Sequence, residues 1–141
     1  MHQSFFISDP HFGHSNILNF KDDQGNLVRP GFSCIEEHDT LIIDNINAVV
    51  RPQDTLYILG DIAMNRKYIC VLDRIITKKR VLIRGNHDIF KLKDYTPYFK
   101  DIRAYKIYPK HGIICSHIPI HTYQLQGRWK LNIHGHMHHN N

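Results

Sequence analysis

Side chains that can bind metal ions occur in five short motifs spread over almost the whole sequence. Three of these motifs directly follow apolar, β-prone runs, and ligand sites of α/β proteins form at the carboxyl ends of strands. Carboxylates, imidazoles and amide oxygens are all ligands for divalent cations. Together the motifs therefore predict a metal centre. They are Asp9-Pro10-His11, Gly60-Asp61, Gly85-Asn86-His87-Asp88, Ser116-His117 and Gly135-His136-Met137-His138.

The first two motifs suggest metal binding only because each of them follows a predicted strand. Asp9 and His11 alone could be a helix N-cap and a chance histidine, and Gly60-Asp61 alone could be a common turn. Both follow β-prone runs, at Ser4-Phe5-Phe6-Ile7 and Thr55-Leu56-Tyr57-Ile58-Leu59. A carboxylate at Asp61 could bridge two cations, because its two oxygens can each serve a different ion.

The third motif, Gly85-Asn86-His87-Asp88, is the most specific. Gly85 permits a tight backbone path beyond the strand. Asn86 offers an amide oxygen, His87 can donate a proton, and Asp88 can orient the imidazole of His87. The alternative interpretation is an Asx-type turn.

The last two motifs supply histidines near the end of the sequence. His117 is favoured over His121 as a ligand because it lies closer to a predicted strand end. His136 and His138 point the same way if their segment is extended, although a histidine-rich surface tail is the alternative. His14 is left undecided. The other histidines are interpreted as ordinary surface or core residues: His2, His38, His111, His134 and His139.

Hydrophobic periodicity predicts the elements that must position these motifs. Strands are expected over 3–8, 54–59 and 81–84, with a helix between each pair. The first helix begins at a capping-box pattern at Ser33 and ends before Arg51-Pro52. This alternation predicts a βαβαβ core with parallel strands.

The second predicted helix covers about 65–76, with Ile69, Leu72 and Ile76 facing inward. After the third strand the sequence pattern predicts shorter strands without long helices between them. These are expected to pair antiparallel or to form a second sheet, and the chain is expected to be one domain over 1–141. The short strands are Ile102 to Tyr108, Ile113 to Cys115 and Leu131 to His134.

Composition limits the classes of protein. The sequence has 141 residues and a formal net charge of +5, which suits a single core and a phosphate-bearing partner. It contains no long apolar stretch and no secretory signal pattern, so a cytoplasmic protein with no membrane partner is expected. The three cysteines, Cys34, Cys70 and Cys115, lack paired spacing and are expected to be buried thiols.

In this order, the motifs D-x-H, G-D, G-N-H-D, S-H-x-P and G-H-x-H resemble those of the calcineurin-like metallophosphoesterase superfamily. The match extends from Asp9 to His138, and the Asp9-Pro10-His11-Phe12-Gly13-His14 opening is similar to a compact bacterial or phage branch without a cap domain. The resemblance implies an α/β fold in which a two-sheet β-sandwich is flanked by helices in four layers (α/β/β/α).

The resemblance also implies the ligand sets. One divalent cation would be held by Asp9, His11, Asp61 and His138, and the other by Asp61, Asn86, His117 and His136. Asp61 would bridge the two. His87, oriented by Asp88, would stand near the leaving group, so the implied catalytic residues are Asn86, His87 and Asp88.

The expected activity is hydrolysis of a phosphodiester or phosphomonoester, with a small substrate that could be a nucleotide. A nuclease acting on single strands or ends is the alternative, to which Arg128, Trp129 and Lys130 could contribute, and a non-catalytic scaffold is the third possibility. Manganese or iron is expected first, and zinc or nickel would also suit the ligands. The sequence does not predict an oligomeric state.

Overall fold

The structure is a computed structural model that describes residues 2–138. It is a mixed α/β fold. The first sheet has the order β1-β2-β3-β4, and every neighbouring pair in it is parallel. Its strands are β1 (Ser4–Ile7), β2 (Thr55–Ile58), β3 (Arg80–Ile83) and β4 (Asp101–Arg103). The parallel arrangement predicted for the first three strands is confirmed.

The second sheet has the order β5-β6-β7. Its strands are β5 (Lys106–Tyr108), β6 (Ile113–Cys115) and β7 (Leu131–Ile133). β5 pairs antiparallel with β6, whereas β6 and β7 are parallel. A second sheet was therefore predicted correctly, but the segment expected to be one strand from Ile102 to Tyr108 is divided between the two sheets.

Both faces of the first sheet are covered by apolar residues. Leu56, Ile58 and Leu82 pack with Ile43 and Ile46, which belong to the helix that covers one face. The other face packs against the second sheet through a cluster that includes Val81, Ile83 and Cys115. Strands buried on both sides read as continuous apolar runs, as parallel strands do.

The helix on the first face is α1 (Ile35–Val49), and α2 (Leu92–Tyr95) and α3 (Thr122–Leu125) are single turns. The N-cap of α1 is Cys34, and Glu37 Oε2 accepts a hydrogen bond from the Ser33 backbone N–H at 2.8 Å. The N-cap side chain makes no capping hydrogen bond, so the capping box predicted to begin at Ser33 does not form. None of the helices formed by residues 2–138 has the length and apolar composition needed to cross a membrane.

The helix predicted over about 65–76 is instead a 3-10 helix, Arg66–Arg74. Ile69, Leu72 and Ile75 are buried at intervals of three, which is the period of a 3-10 helix rather than 3.6. Ile76 is 50% exposed, so its predicted inward position is wrong. The remaining 3-10 helices in the described chain are Ser15–Asn19 and Pro109–His111.

The cysteine prediction is only partly right. Cys115 is buried in the cluster between the sheets, but Cys34 and Cys70 are exposed. Cys34 lies at the surface end of α1, and Cys70 lies on the outer side of the 3-10 helix.

Candidate metal centre

The loops that carry the first two motifs leave neighbouring strands at the same edge of the first sheet. β1 and β2 are parallel and in register, so their carboxyl ends lie side by side. The backbone N–H of Asp9 donates to the carbonyl of Gly60 at 3.1 Å, and that of His11 donates to the carbonyl of Asp61 at 3.0 Å. The two motifs are therefore joined by backbone hydrogen bonds before any side chain is considered.

Two groups of side chains that could hold metal ions form at this edge. In each group the candidate ligand atoms lie within 4.8 Å of one another. The first group is Asp9, His11 and His138, and the second is Asp61, His117 and His136. In the first group, Asp9 Oδ1 lies 3.8 Å from Nε2 of both His11 and His138.

The carboxylate of Asp61 connects the two groups. Its Oδ2 lies 3.4 Å from His117 Nε2 in the second group and 3.8 Å from His11 Nε2 in the first. Its Oδ1 accepts the backbone N–H of His87 at 2.9 Å. The side chain is buried, so one fixed carboxylate oxygen faces a ring nitrogen from each group.

Asn86 joins the second group through His117. Nδ1 of His117 lies 2.7 Å from the carbonyl oxygen of Leu59, and a carbonyl can only accept, so Nδ1 carries a proton. The lone pair of a neutral ring is then on Nε2, which faces Asn86 Oδ1 at 2.8 Å. Nε2, Asn86 Oδ1 and Asp61 Oδ2 are three acceptors that converge, which is the arrangement a cation stabilises.

The pKa of His117 reflects the same convergence. Burial disfavours the charged ring, but the Asp61 carboxylate and the Leu59 carbonyl outweigh burial and raise the pKa above its ordinary value. The pKa of His11, which belongs to the first ligand group, is shifted in the opposite direction. Burial lowers the pKa of His11 to about 4 despite the nearby Asp61, so His11 is neutral at pH 7 and its lone pair is available.

Backbone strain is concentrated on the predicted ligands. Non-glycine residues adopt the left-handed region at a cost, and such residues cluster at functional sites. Within residues 2–138 the non-glycine residues with positive φ all belong to the predicted ligand set. They are Asp9 (53°), His11 (49°), Asp61 (55°), His136 (71°) and His138 (49°). The spacing of the predicted ligands in the sequence does not by itself require positive φ angles at these residues.

Two motif glycines make room for ligands from other motifs. A Cβ at Gly85 would lie 2.2 Å from Asp61 Oδ1, and a Cβ at Gly135 would lie 2.3 Å from Asp9 Oδ2. Any larger residue would displace these carboxylates. Each glycine therefore lets a carboxylate from a distant part of the sequence approach its loop.

Several buried polar atoms of the first group have no hydrogen-bond partner among the described residues. They are Asp9 Oδ1 and both ring nitrogens of His11. Unpaired buried polar atoms are costly and rare. Atoms of the ligand type, close together and without partners, fit a bound divalent cation.

His87 lies on the open side of the first group. Its side chain is exposed, and its ring centroid is 5.9 Å from that of His11 at an interplanar angle of 63°. Its backbone N–H is held by Asp61 Oδ1. The imidazole is thus placed beside the centre without belonging to either ligand group.

Asp88 does not make the contact predicted for it. Oδ2 accepts the backbone N–H groups of Asp61 at 2.9 Å and Gly85 at 2.8 Å, and Oδ1 accepts that of Ile62 at 3.0 Å. Residues 85–88 form a turn in which the Asp88 N–H donates to the Gly85 carbonyl at 3.3 Å, and in this turn Asp88 is buried while His87 is exposed. Its contacts make Asp88 a tie between the loops after β2 and β3, and none of them orients the His87 ring.

Sequence patterns gave no sign of Arg29. It lies at the end of a segment, 21–31, that reads as a polar surface loop. Its guanidinium donates to the carbonyl oxygens of Asp9 at 2.5 Å and Pro10 at 3.1 Å. It also donates to His38 Nε2 at 2.5 Å. Arg29 therefore holds the strained loop that carries the candidate ligands Asp9 and His11.

The same network continues through His38 and Asp39, both buried on α1. His38 Nδ1 donates to Asp39 Oδ1 at 2.9 Å, and Asp39 Oδ2 accepts the Gly13 N–H at 2.8 Å. His38 was interpreted as an ordinary residue. Its position next to Asp39 in a predicted helix was the one signal in the sequence, and this signal could not have identified the loop as its partner.

The other histidines considered as ligands differ from His117 in their exposure and hydrogen bonds. His121 is exposed, and its Nδ1 accepts the N–H of Tyr123 at the start of α3, so the preference for His117 agrees with the geometry. His134 is exposed and bonds the neighbouring Gly135 carbonyl. His139 lies outside the described residues.

A cleft of ≈ 280 Å³ opens beside the first group. It is lined by Ser8, Asp9, Arg29, His134, Gly135, Met137 and His138. Two of the first-group ligands thus face a space large enough for a small anion.

No protein-family model matches the chain. The chain is 35% identical over 143 residues to the uncharacterized protein MJ1445 from Methanocaldococcus jannaschii, an alignment covering 99% of this chain and 72% of that protein. It is 30% identical over 122 residues to the gene 66 protein of Mycobacterium phage L5, covering 84% of this chain and 52% of the phage protein.

A solved structure shares the fold. The crystal structure of the protein of unknown function AQ665 from Aquifex aeolicus superposes with a TM-score of 0.70 and 31% sequence identity. The alignment covers 94% of this chain and 77% of the Aquifex chain.

Proposed function

The chain belongs to the family that includes MJ1445 of Methanocaldococcus jannaschii, and we propose that it is a phosphoesterase that uses two divalent cations. The observation that carries this proposal is the buried Asp61 carboxylate, whose Oδ2 faces His11 Nε2 in one ligand group and His117 Nε2 in the other. Two groups joined by one carboxylate are the arrangement of a dinuclear site.

The residues suit the proposed cations. Buried, unpaired ligand atoms in the first group and converging acceptors in the second each provide a place for positive charge. Asp9, His11 and His138 would hold one cation and Asn86, His117 and His136 the other, with Asp61 shared. Bound cations would neutralise phosphate charge and lower the pKa of an attacking water.

Nitrogen and oxygen ligands without a thiolate favour manganese or iron, and zinc or nickel would also suit them. Magnesium is less suitable, because it prefers oxygen ligands and retains several waters. The proposal includes the finer fold assignment, a four-layer metallophosphoesterase of the calcineurin-like superfamily without a cap domain. Two packed sheets with α1 on one outer face are its structural support.

The chain's own residues supply the rest of the chemistry. His87 is exposed beside the first group, where it can donate a proton to a departing oxygen. Asp61 Oδ1 fixes the backbone of His87, so the bridging carboxylate also positions the proton donor. The Asn86 amide can donate its N–H to a phosphoryl oxygen while its oxygen faces the second group.

The open site and the net charge of +5 suit a small anionic ester. The same charge supports the alternative of a nuclease acting on single strands or ends.

The test is a substrate panel with manganese-loaded protein: aryl phosphomonoesters and phosphodiesters, nucleotides, and single-stranded oligonucleotides. We expect turnover of small esters that is lost when the metal is chelated. Cleavage of oligonucleotides alone would favour the nuclease. If protein carrying two metals per chain hydrolyses nothing in the panel, the proposed activity is contradicted.

A further inference from the structure

The His14 imidazole lies beside the metal centre but belongs to neither ligand group. Its ring centroid is 5.8 Å from that of His11, and the edge of the Phe20 ring packs against it at 5.5 Å. It also interacts electrostatically with His87. His11, His14 and His87 therefore form a cluster in which only His11 is a candidate ligand.

One nitrogen of the His14 ring is buried, and the other is accessible to solvent. Nδ1 is buried without a hydrogen-bond partner. Nε2 is not among the buried unpaired atoms, and residues 2–138 provide it with no hydrogen bond. Because Nδ1 is buried and the side chain is only half-buried, Nε2 is the ring nitrogen that is accessible to solvent.

The backbone around His14 is held at both ends. Its N–H donates to the carbonyl of His11 at 3.1 Å, and its carbonyl accepts the N–H of Ile17 at 3.0 Å. The preceding Gly13 N–H is held by Asp39 Oδ2 at 2.8 Å. The backbone of His14 is thus fixed relative to the ligand loop, and Phe20 packs against the ring, as the position of a substrate-contacting group requires.

We propose that His14 is a further catalytic residue, which donates a hydrogen bond from Nε2 to a non-bridging oxygen of the phosphoryl group. This inference rests on the proposed phosphoesterase function. His14 and His87 both border His11, and His87 is assigned to the departing ester oxygen. That oxygen is bonded to carbon and phosphorus and accepts one strong hydrogen bond, so the second imidazole faces a different oxygen.

The proposal distinguishes His14 from His87 by the kind of rate loss. A donor to a non-bridging oxygen stabilises charge whichever group departs, so its loss should not depend on the leaving group. It should also contribute to binding of inorganic phosphate, which has no leaving group.

The experiment compares His14→Asn, His14→Gln and the exposed control His111→Asn, all loaded with manganese. Glutamine can place its amide N–H near the position of Nε2, whereas asparagine is too short. For His14→Asn we expect kcat/KM to fall by roughly 10- to 100-fold on aryl esters with good and poor leaving groups alike. We expect phosphate affinity, measured by calorimetry, to fall by about 10-fold, with partial recovery in His14→Gln.

Manganese content must stay at the wild-type value in both His14 variants. A loss of manganese would make His14 a ligand and overturn the proposal, as would unchanged phosphate affinity or a loss that grows with leaving-group pKa. If the wild-type protein hydrolyses nothing, the phosphoesterase function fails on its own, and the phosphate-binding comparison still decides the contact.

Discussion

Replacing Asp61 by asparagine is expected to lower metal-dependent turnover of an aryl phosphodiester by roughly 10³-fold or more. Asp61 Oδ2 faces a ring nitrogen in each ligand group, at 3.4 Å from His117 Nε2 and 3.8 Å from His11 Nε2. Asparagine has the same shape but no charge, and one of its two oxygens becomes an N–H₂ group. It would therefore remove the shared anionic ligand while its remaining oxygen can still accept the His87 N–H.

The matched control is Asp44→Asn, which changes an exposed carboxylate on the outer side of α1. Turnover, manganese content and thermal unfolding should be measured for both variants. We expect Asp61→Asn to lose bound manganese and activity while still unfolding cooperatively, and Asp44→Asn to match the wild type. Wild-type turnover in Asp61→Asn would refute the bridging role.

Replacing His87 by alanine is expected to slow esters with poor leaving groups far more than esters with good ones. Proton donation by a positioned side chain contributes roughly 10²- to 10⁴-fold. An alkoxide needs that proton, whereas a p-nitrophenolate departs without it. We therefore expect a loss in that range for alkyl esters and a loss below about 10-fold for p-nitrophenyl esters.

The comparison requires a series of esters with increasing leaving-group pKa, with His121→Ala as the control. His121 is exposed and bonds only within its own turn. The slope of log kcat/KM against leaving-group pKa should steepen in His87→Ala and stay unchanged in His121→Ala. Parallel lines for wild type and His87→Ala would remove His87 as the proton donor.

The convergence of the first three motifs could be predicted from the sequence, for a definite physical reason. β1, β2 and β3 are parallel, so whatever follows each strand meets at one edge. Polar motifs after three apolar runs therefore had to converge. The 3-10 helix was also readable in principle, because Ile69, Leu72 and Ile75 are three residues apart.

The support of the centre could not be predicted, because it depends on contacts between distant segments. Arg29 reaches the Asp9 and Pro10 carbonyls only because the path of segment 21–31 brings it there. Asp88 appeared tied to His87 because the two are adjacent in sequence. In the fold His87 is exposed and Asp88 is buried, and Asp88 accepts hydrogen bonds from the loop after β2.

The most direct test of the dinuclear centre is an anomalous difference map from crystals soaked with manganese and measured at the manganese edge. We expect two peaks on either side of Asp61, one contacted by Asp9, His11 and His138 and the other by Asn86, His117 and His136. A single peak, peaks away from Asp61, or no peak at saturating manganese would contradict the account.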